Sequence, residues 1–467
     1  MNQKILWIPL TILTSYLDID SLKNLSFSHE YFLKYAYSMK NIEMKITTEK
    51  EGSDLIKIFK NIKLCYKVRY DQKVTDALLD NITSIDISSI YLIDRTILMK
   101  LPNLHKLTTC YQNHITNADI THLRKLKKLE TRSYNITDSG ISILTNLEEL
   151  NISNNLTITG NCFSQLPKLT KLNIKSTAKI CDHHISNLTN LKSLNLSKND
   201  NITDLAIHNL LNLTELNISS TYRIKGNNLS VLTNLKNLYC GDHNVENYNI
   251  KNLLSLTSLN CVFSNLPSEQ YSSLTNLESL FVLGGKYINK SLIHLINLTT
   301  LSVSNSASND LTLGSLTNLK QLSFSHYYDK TQNITSQINN ILTKLTNLTL
   351  LNIPNNQDIT DDAIINLTRL NILDVSRTKQ ITNRSIEKLL NLAHLDLERT
   401  ERVTDEAISK LTKLTFLNVK QNNKITIDSI KNLSRLNWLG TDDKDIFKGR
   451  RDITVIRTSE DEIDDDS

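Results

Sequence analysis

The chain lacks most of the features by which enzymes, membrane proteins and nucleic-acid-binding proteins are recognised. None of the motifs GxxxxGK[ST], HExxH, GxSxG or CxxC occurs, so we expect neither catalysis nor a cofactor. No apolar run is long enough to cross a bilayer. Aromatic residues make up only 6% of the 467 residues, and no dense lysine/arginine run is interleaved with them. We therefore expect neither a membrane nor a nucleic-acid partner.

Charge is also modest. The net charge is +5, but residues 459–467 carry six acids and no base, so the rest of the chain is +11. We expect this acidic tail to be disordered. A mild positive excess over more than four hundred residues does not make a nucleic-acid-binding stripe.

What the chain does have is a repeat. The pattern LxxLxxL returns seventeen times between Leu79 and Leu433, and fifteen of the sixteen intervals are 21 or 22 residues. The units begin at Leu79, Leu101, Leu123, Leu144, Leu166, Leu188, Leu210, Leu232, Leu253, Leu274, Leu295, Leu316, Leu345, Leu367, Leu389, Leu411 and Leu433. Such a period is typical of a solenoid, because no single unit can bury its own leucines.

One unit shows the design. Leu150 and Ile152 alternate with polar residues, which predicts a short strand with one buried face. Asn155 follows at a turn, where its side chain can satisfy unpaired backbone groups. An Ile-Thr-Asp sequence such as Ile136–Asp138 then supplies threonine and aspartate as helix N-caps.

This arrangement resembles the leucine-rich-repeat family, in its short, internalin-like class. The resemblance implies an α/β solenoid: a superhelix with a parallel sheet on its concave face and short helices on its convex face. We assign about seventeen repeats to residues 79–440, a join with a degenerate repeat to 41–78, its strand near Tyr66 and Val68, and a C-terminal cap segment to 441–458.

Residues 5–40 lie outside the repeat and show two runs of helical spacing. They begin with Ile8-Pro9, continue through Tyr-Leu-Asp and Asp-Ser-Leu elements, and end at Phe32. This order resembles an F-box, a small helical motif that docks on a Skp-type adaptor of a cullin ubiquitin ligase while a following repeat domain captures the substrate. The implied adaptor-facing or motif-core residues are Ile8, Pro9, Leu13, Leu17, Leu22, Leu25 and Phe32. Alternatively, the segment only caps the open core of the first repeat of a scaffold protein.

The concave face is the expected site for a protein substrate. Tyr239 and Phe281 interrupt an exposed column of asparagines, and Val262 and Leu283 lie in the adjacent column. A second apolar column consists of Leu350, Ile372, His394, Phe416 and Trp438. Exposed aromatic and aliphatic residues in successive repeats are typical of binding hot spots. Alternatively, Ile446, Phe447, Ile453, Val455 and Ile456 cover this column. An insertion around residues 326–332 is either a binding loop or neutral drift.

We predict no metal site. Cys181, His183 and His184 are nearly contiguous, and contiguous ligands rarely converge on one ion. Asp182 is interpreted as the ordinary capping acid and the histidines as surface residues. The six cysteines show no paired clusters, and Cys240 and Cys261 occupy a core position of the repeat. A disulfide framework is therefore not expected.

The chain is expected to be intracellular, in the cytoplasm or nucleus, and monomeric outside a ligase complex. The N-terminus lacks a small-x-small cleavage site, and acids follow its apolar stretch at Asp18 and Asp20. Sequons at Asn155, Asn212, Asn297 and Asn347 fall within the repeat framework, where glycans would crowd the packed turns.

Overall fold

The computed structural model describes residues 43–58, 62–68, 76–89, 96–110, 114–241, 248–262, 266–282, 289–304, 311–325, 337–442 and 454–456. The chain forms two compact units, Met1–Asn217 and Ile218–Ser467. The F-box-like segment 5–40, the insertion 326–332 and the acidic tail 459–467 lie outside the described residues.

Among the described residues of the first unit, nine strands form a parallel sheet in chain order. They are β1 (Glu43–Ile46), β2 (Lys63–Lys67), β3 (Ile82–Asp86), β4 (Lys106–Thr108), β5 (Lys128–Glu130), β6 (Glu149–Asn151), β7 (Lys171–Asn173), β8 (Ser193–Asn195) and β9 (Glu215–Asn217). The α-helices are Glu49–Ile58, Thr96–Met99, Asn117–Ile120, Asp138–Ile141 and Asp182–Ile185, and the 3₁₀ turns are Asp76–Leu78, Phe163–Gln165 and Asp204–Ala206.

The second unit repeats this plan. Its parallel strands are β10 (Asn237–Tyr239), β11 (Ser258–Asn260), β12 (Ser279–Val282), β13 (Thr300–Ser304), β14 (Gln321–Ser325), β15 (Leu350–Asn352), β16 (Ile372–Asp374), β17 (His394–Asp396), β18 (Phe416–Asn418), β19 (Trp438–Gly440) and β20 (Thr454–Ile456). Its α-helices are Gln337–Leu342, Asp361–Ile364, Asn383–Ile386, Asp405–Ile408 and Ile427–Ile430, and its 3₁₀ segments are Leu229–Val231, Ser268–Gln270, Asn289–His294 and Leu311–Ser315.

The leucine-rich-repeat solenoid is confirmed. Leu144, Leu147, Leu150 and Ile152 each expose 2% or less of their surface, and most of the corresponding residues of the other repeats are also buried, with Leu188 half-buried as an exception. Cys240 and Cys261 are likewise fully buried as core residues of adjacent strands. Because successive repeat strands contribute aliphatic residues at the same register, the core of each unit is a stack of aliphatic layers.

The described residues ahead of Leu79 form two strands, where the sequence indicated one. β2 includes Tyr66 as expected, and β1 pairs with it in parallel. The ten-residue helix Glu49–Ile58 joins them, with Leu55 fully buried. No helix among the described residues combines the length and apolar character needed to cross a bilayer.

In the repeat of Asn155, the turn after the strand depends on one polar side chain. Asn155 is fully buried; its Nδ2 donates to the Ser133 carbonyl at 3.0 Å, and its Oδ1 accepts from the Thr157 and Ile158 N–H groups at 2.9 and 3.0 Å. This confirms the expected role of the turn asparagine. The preceding residue, Asn154, has a φ of +59°, in the left-handed region. The same conformation recurs at Ser176, Lys198, Ser220, Asn355, Arg377, Arg399 and Gln421.

The aspartate of the Ile-Thr-Asp sequence acts differently from the expectation. The threonine is the N-cap, as at Thr360, but the following aspartate bonds to the next repeat rather than to its own helix. Asp138 accepts from Thr159 N–H at 2.9 Å and Gly160 N–H at 3.0 Å. Burial raises the pKa of Asp138, but these hydrogen bonds and those from Cys162 outweigh it, so the pKa is lowered overall.

Candidate binding surface

The column Leu350, Ile372, His394, Phe416, Trp438 lies on the exposed face of the second unit's sheet. Consecutive members are directly paired from β15 to β19, in the register that the alternation predicts. All five side chains are half-buried. Because adjacent parallel strands are about 4.8 Å apart, these side chains form one continuous apolar strip, here called the ladder. Its binding role remains a prediction.

Three rings of the ladder stack on one another. The His394 and Phe416 ring centroids are 3.7 Å apart with planes tilted by 5°, and Phe416 and Trp438 are 3.9 Å apart at 7°. Burial lowers the pKa of His394, although Asp396 acts in the opposite direction, so the imidazole is neutral at pH 7. The strand spacing thus holds three planar groups parallel, with their edges available to a partner.

Two aspartates flank the ladder. Asp374 and Asp396 are paired in adjacent strands, and each accepts a backbone N–H, from Ser376 at 2.9 Å and Glu398 at 3.0 Å. Burial raises the pKa of both carboxyl groups, and Asp374 and Glu398 further raise that of Asp396. The ladder is therefore bordered by acid groups whose charge is only partly compensated.

The other predicted contact residues are more dispersed. Tyr239 and Phe281 are half-buried on the exposed sheet face, but Asn260 stands between them in the register, so they are two strands apart. Val262 is half-buried at the end of β11, and its N–H donates to Asn260 Oδ1 at 3.3 Å. Leu283 lies outside the described residues. The structure does not bring these residues into a strip like the ladder.

The corresponding surface of the first unit is charged and self-paired. The Glu149 carboxylate in β6 forms salt bridges with Lys128 and Lys171 on the two neighbouring strands, with Nζ–Oε1 distances of 2.9 and 3.4 Å. A shallow hollow of about 340 Å³ lies over these side chains. Here the side-chain charges of neighbouring strands neutralise one another, whereas the ladder exposes apolar side chains.

The C-terminal segment was a candidate to cover the ladder. Its described part, Thr454–Ile456, is strand β20, which pairs in parallel with β19 and places Thr454 next to Trp438. Residues 454–456 thus extend the sheet beside the ladder instead of lying over it. Ile446, Phe447 and Ile453 lie outside the described residues.

Cys181, His183 and His184 converge, which the sequence analysis did not expect. Their ligand atoms all lie within 4.8 Å of one another. Cys181 is an extended N-cap, while both histidines belong to the helical turn Asp182–Ile185. Because Cys181 is extended and the residues after it are helical, its side chain lies next to those of His183 and His184. Asp182 accepts from Thr203 N–H and Oγ1 at 2.8 and 2.6 Å, the inter-repeat role of the other repeat aspartates.

The F-box-like residues lie outside the described residues. They are Ile8, Pro9, Leu13, Leu17, Leu22, Leu25 and Phe32.

Comparisons with known proteins bear on the fold. No protein-family model and no curated protein matches the chain. The functional domain of InlJ from Listeria monocytogenes, which includes a cysteine ladder, is 22% identical over 74% of each chain, with a TM-score of 0.52. The internalin InlF from Listeria monocytogenes is 24% identical over 74% of this chain and 88% of its own, with a TM-score of 0.39. TLR13 in a complex with ssRNA13 is 21% identical over 79% of this chain and 53% of its own, with a TM-score of 0.48. The InlJ likeness supports the leucine-rich-repeat fold.

Proposed function

We propose that the chain is a protein-interaction module that performs no bond chemistry and holds a protein partner on the ladder. The observation that carries this proposal is the stacking of His394, Phe416 and Trp438 at centroid distances of 3.7 and 3.9 Å. Stacked rings are already ordered, so a partner that contacts them loses little side-chain entropy on binding.

The chemistry of the ladder defines the partner segment. An aliphatic or aromatic side chain would bury the edges of the three rings, while a lysine or arginine beside it would face Asp374 and Asp396. A cation there offsets the desolvation of two half-buried carboxylates, whose pKa values burial raises. The proposed partner is thus a segment with an apolar anchor next to a basic residue.

A selection from a random peptide library on the immobilised full chain tests this. We expect enriched peptides to pair an aromatic or aliphatic residue with lysine or arginine. Binding should fall at least tenfold with Phe416→Ser plus Trp438→Ser, and weaken in high salt and with Asp374→Asn plus Asp396→Asn. Tyr222→Ser is the matched control, because Tyr222 is a 57% exposed aromatic residue outside the strands. The proposal would be contradicted if the enriched peptides bound the Phe416→Ser plus Trp438→Ser variant as tightly as the Tyr222→Ser control.

A finer proposal concerns the partner of residues 5–40. The resemblance of this segment to an F-box supports a substrate-recognition subunit of an SCF-type ubiquitin ligase, with a Skp-type adaptor at the N-terminus and the target on the ladder. The alternative is a binding scaffold whose N-terminus only caps the first repeat. Both hypotheses place the target on the ladder, and they differ in whether residues 5–40 bind an adaptor.

A pull-down with a Skp-type adaptor distinguishes them. The ligase proposal expects recovery of the intact chain and loss of recovery for Pro9→Asp plus Leu17→Asp. Equal recovery of both forms, or of neither, would remove the ligase proposal and leave the binding proposal intact. The scaffold reading instead expects that deletion of residues 1–40 causes aggregation without any change in ubiquitin-dependent turnover.

A further inference from the structure

One repeat of the first unit departs from its neighbours at the start of its helical turn. Where other repeats have Thr137, Thr203, Thr360 and Thr404 as the N-cap, this repeat has Cys181. Where they have Gly140, Ala206, Ala363 and Ala407, it has His184. Two positions that hold threonine and a small residue in these four repeats thus carry metal-ligand side chains together, and His183 lies between them.

The geometry of the three side chains matches one ion. Cys181 Sγ lies 3.2 Å from His183 Nδ1 and 3.4 Å from His184 Nδ1. A tetrahedral zinc ion with ordinary bond lengths separates a thiolate sulfur from an imidazole nitrogen by about 3.6 Å. The two sulfur–nitrogen distances are therefore within a few tenths of an ångström of those around a zinc ion, and all three ligand atoms lie within 4.8 Å of one another.

The preceding repeat leaves room for the larger side chain. Gly160 has a φ of +99°, and a Cβ built on it would lie 2.9 Å from His184 Cγ. Any other residue at this position would collide with the imidazole. A cavity of about 360 Å³ adjoins both histidines and is also lined by Phe163 and Asn187. It has space for a water molecule as a fourth ligand.

The electrostatic surroundings suit a cation. The His184 ring is half-buried and lies beside His183, with their ring centroids 3.8 Å apart. The negative charge of Asp138 acts on the same ring. The Cys181 N–H donates to His184 Nδ1 at 3.2 Å, so an ion bound at this nitrogen would replace that capping bond.

We propose that Cys181, His183 and His184 form a binding site for one Zn²⁺ ion, with the fourth position open to the cavity. A thiolate and two imidazoles form a donor set that zinc accepts readily. The site is separate from the ladder, which is in the other compact unit, and it requires no ubiquitin-related role.

Cobalt and zinc titrations of the tag-free full chain, treated with a chelator, test this site. One equivalent of Co²⁺ should produce a thiolate-to-cobalt charge-transfer band that Zn²⁺ displaces. Cys181→Thr and His184→Ala restore the residues of neighbouring repeats, so both variants should fold and should weaken binding at least tenfold. Cys110→Ser and His208→Ala are the controls and should bind normally.

Zinc should also raise the melting temperature of the native chain and not that of Cys181→Thr. Absence of the thiolate band, or a band that survives in Cys181→Thr, would overturn the proposal.

Discussion

The carboxylate of Asp361 accepts both the backbone N–H and the hydroxyl of Thr382, at 3.0 and 2.6 Å, across a repeat boundary. Asp182 bonds to Thr203 and Asp405 to Thr426 in the same way. Each aspartate thereby binds the N-cap residue of the following helical turn, whose N–H has no acceptor within its own helix. This bond joins successive repeats at the start of their helices.

Asp361→Ala should lower the free energy of unfolding by about 1.5–3 kcal/mol, since it removes charged hydrogen bonds from a side chain that is 7% exposed. Asp362→Ala is the control: its carboxylate is exposed and pairs with Arg384 at the surface, so its loss should cost under about 1 kcal/mol. Urea unfolding measures both. Equal effects of the two variants would assign no special role to the inter-repeat bond.

Asn391→Ala should cost about 0.5–1 kcal/mol, because the Asn391 Nδ2 donates to the Thr368 carbonyl of the preceding repeat at 2.9 Å. Asn432 provides the comparison. It is exposed and precedes the first leucine of its repeat, whereas Asn391 precedes the second, so Asn432→Ala should be nearly neutral. Thermal unfolding of both variants checks the difference. A neutral result at both positions would show that the asparagine bonds add nothing to stability.

Asp374→Asn should raise the free energy of unfolding at pH 7. Burial raises the pKa of Asp374, so this carboxyl contributes stability below its unfolded pKa, and that contribution is lost as pH rises through the folded value. Asparagine can still accept the Ser376 N–H and carries no charge. The gain should shrink as the pH falls below roughly 4. Urea unfolding at pH 7 and pH 3 tests the sign, and a pH-independent gain would contradict this explanation.

Lys198→Val should destabilise the chain by about 1–2 kcal/mol, whereas Lys198→Gly should be neutral or mildly stabilising. Lys198 has a φ of +60° and its side chain is exposed, so backbone conformation dominates the result. A β-branched residue is strained there, while glycine is not. Chemical unfolding of the pair measures the difference, and equal stabilities would argue against backbone strain.

The repeat period predicted the solenoid because a leucine every 21 or 22 residues has only one way to be buried. It also predicted the register of the ladder, since alternation fixes which side chains share a face. The asparagine turn followed from chemistry alone, because Asn155 must satisfy backbone groups wherever the chain bends.

Other features depend on neighbouring repeats and are harder to see in one unit. The partner of Asp361 is 21 residues away, so its role appears only when repeats are stacked. The residue with a positive φ before the turn is lysine, serine or arginine in several repeats, and these residue types do not indicate a left-handed conformation. The sequence also shows Cys181 at the position of Thr203, but not that its sulfur lies beside His183 and His184, because this proximity depends on the conformation of the helix cap.

The asparagine bonds also have a direction that matters for how such a chain can change in length. The Nδ2 of Asn276, Asn297, Asn318 and Asn347 each donates to a carbonyl of the preceding repeat. A duplicated repeat brings its own donor and its own acceptor, so it joins the array without orphaning either group. Insertion or loss of whole repeats is thereby tolerated, whereas a fractional insertion must be looped out of the array. Gene duplication in units of 21 or 22 codons is the natural route by which this protein can lengthen its binding surface.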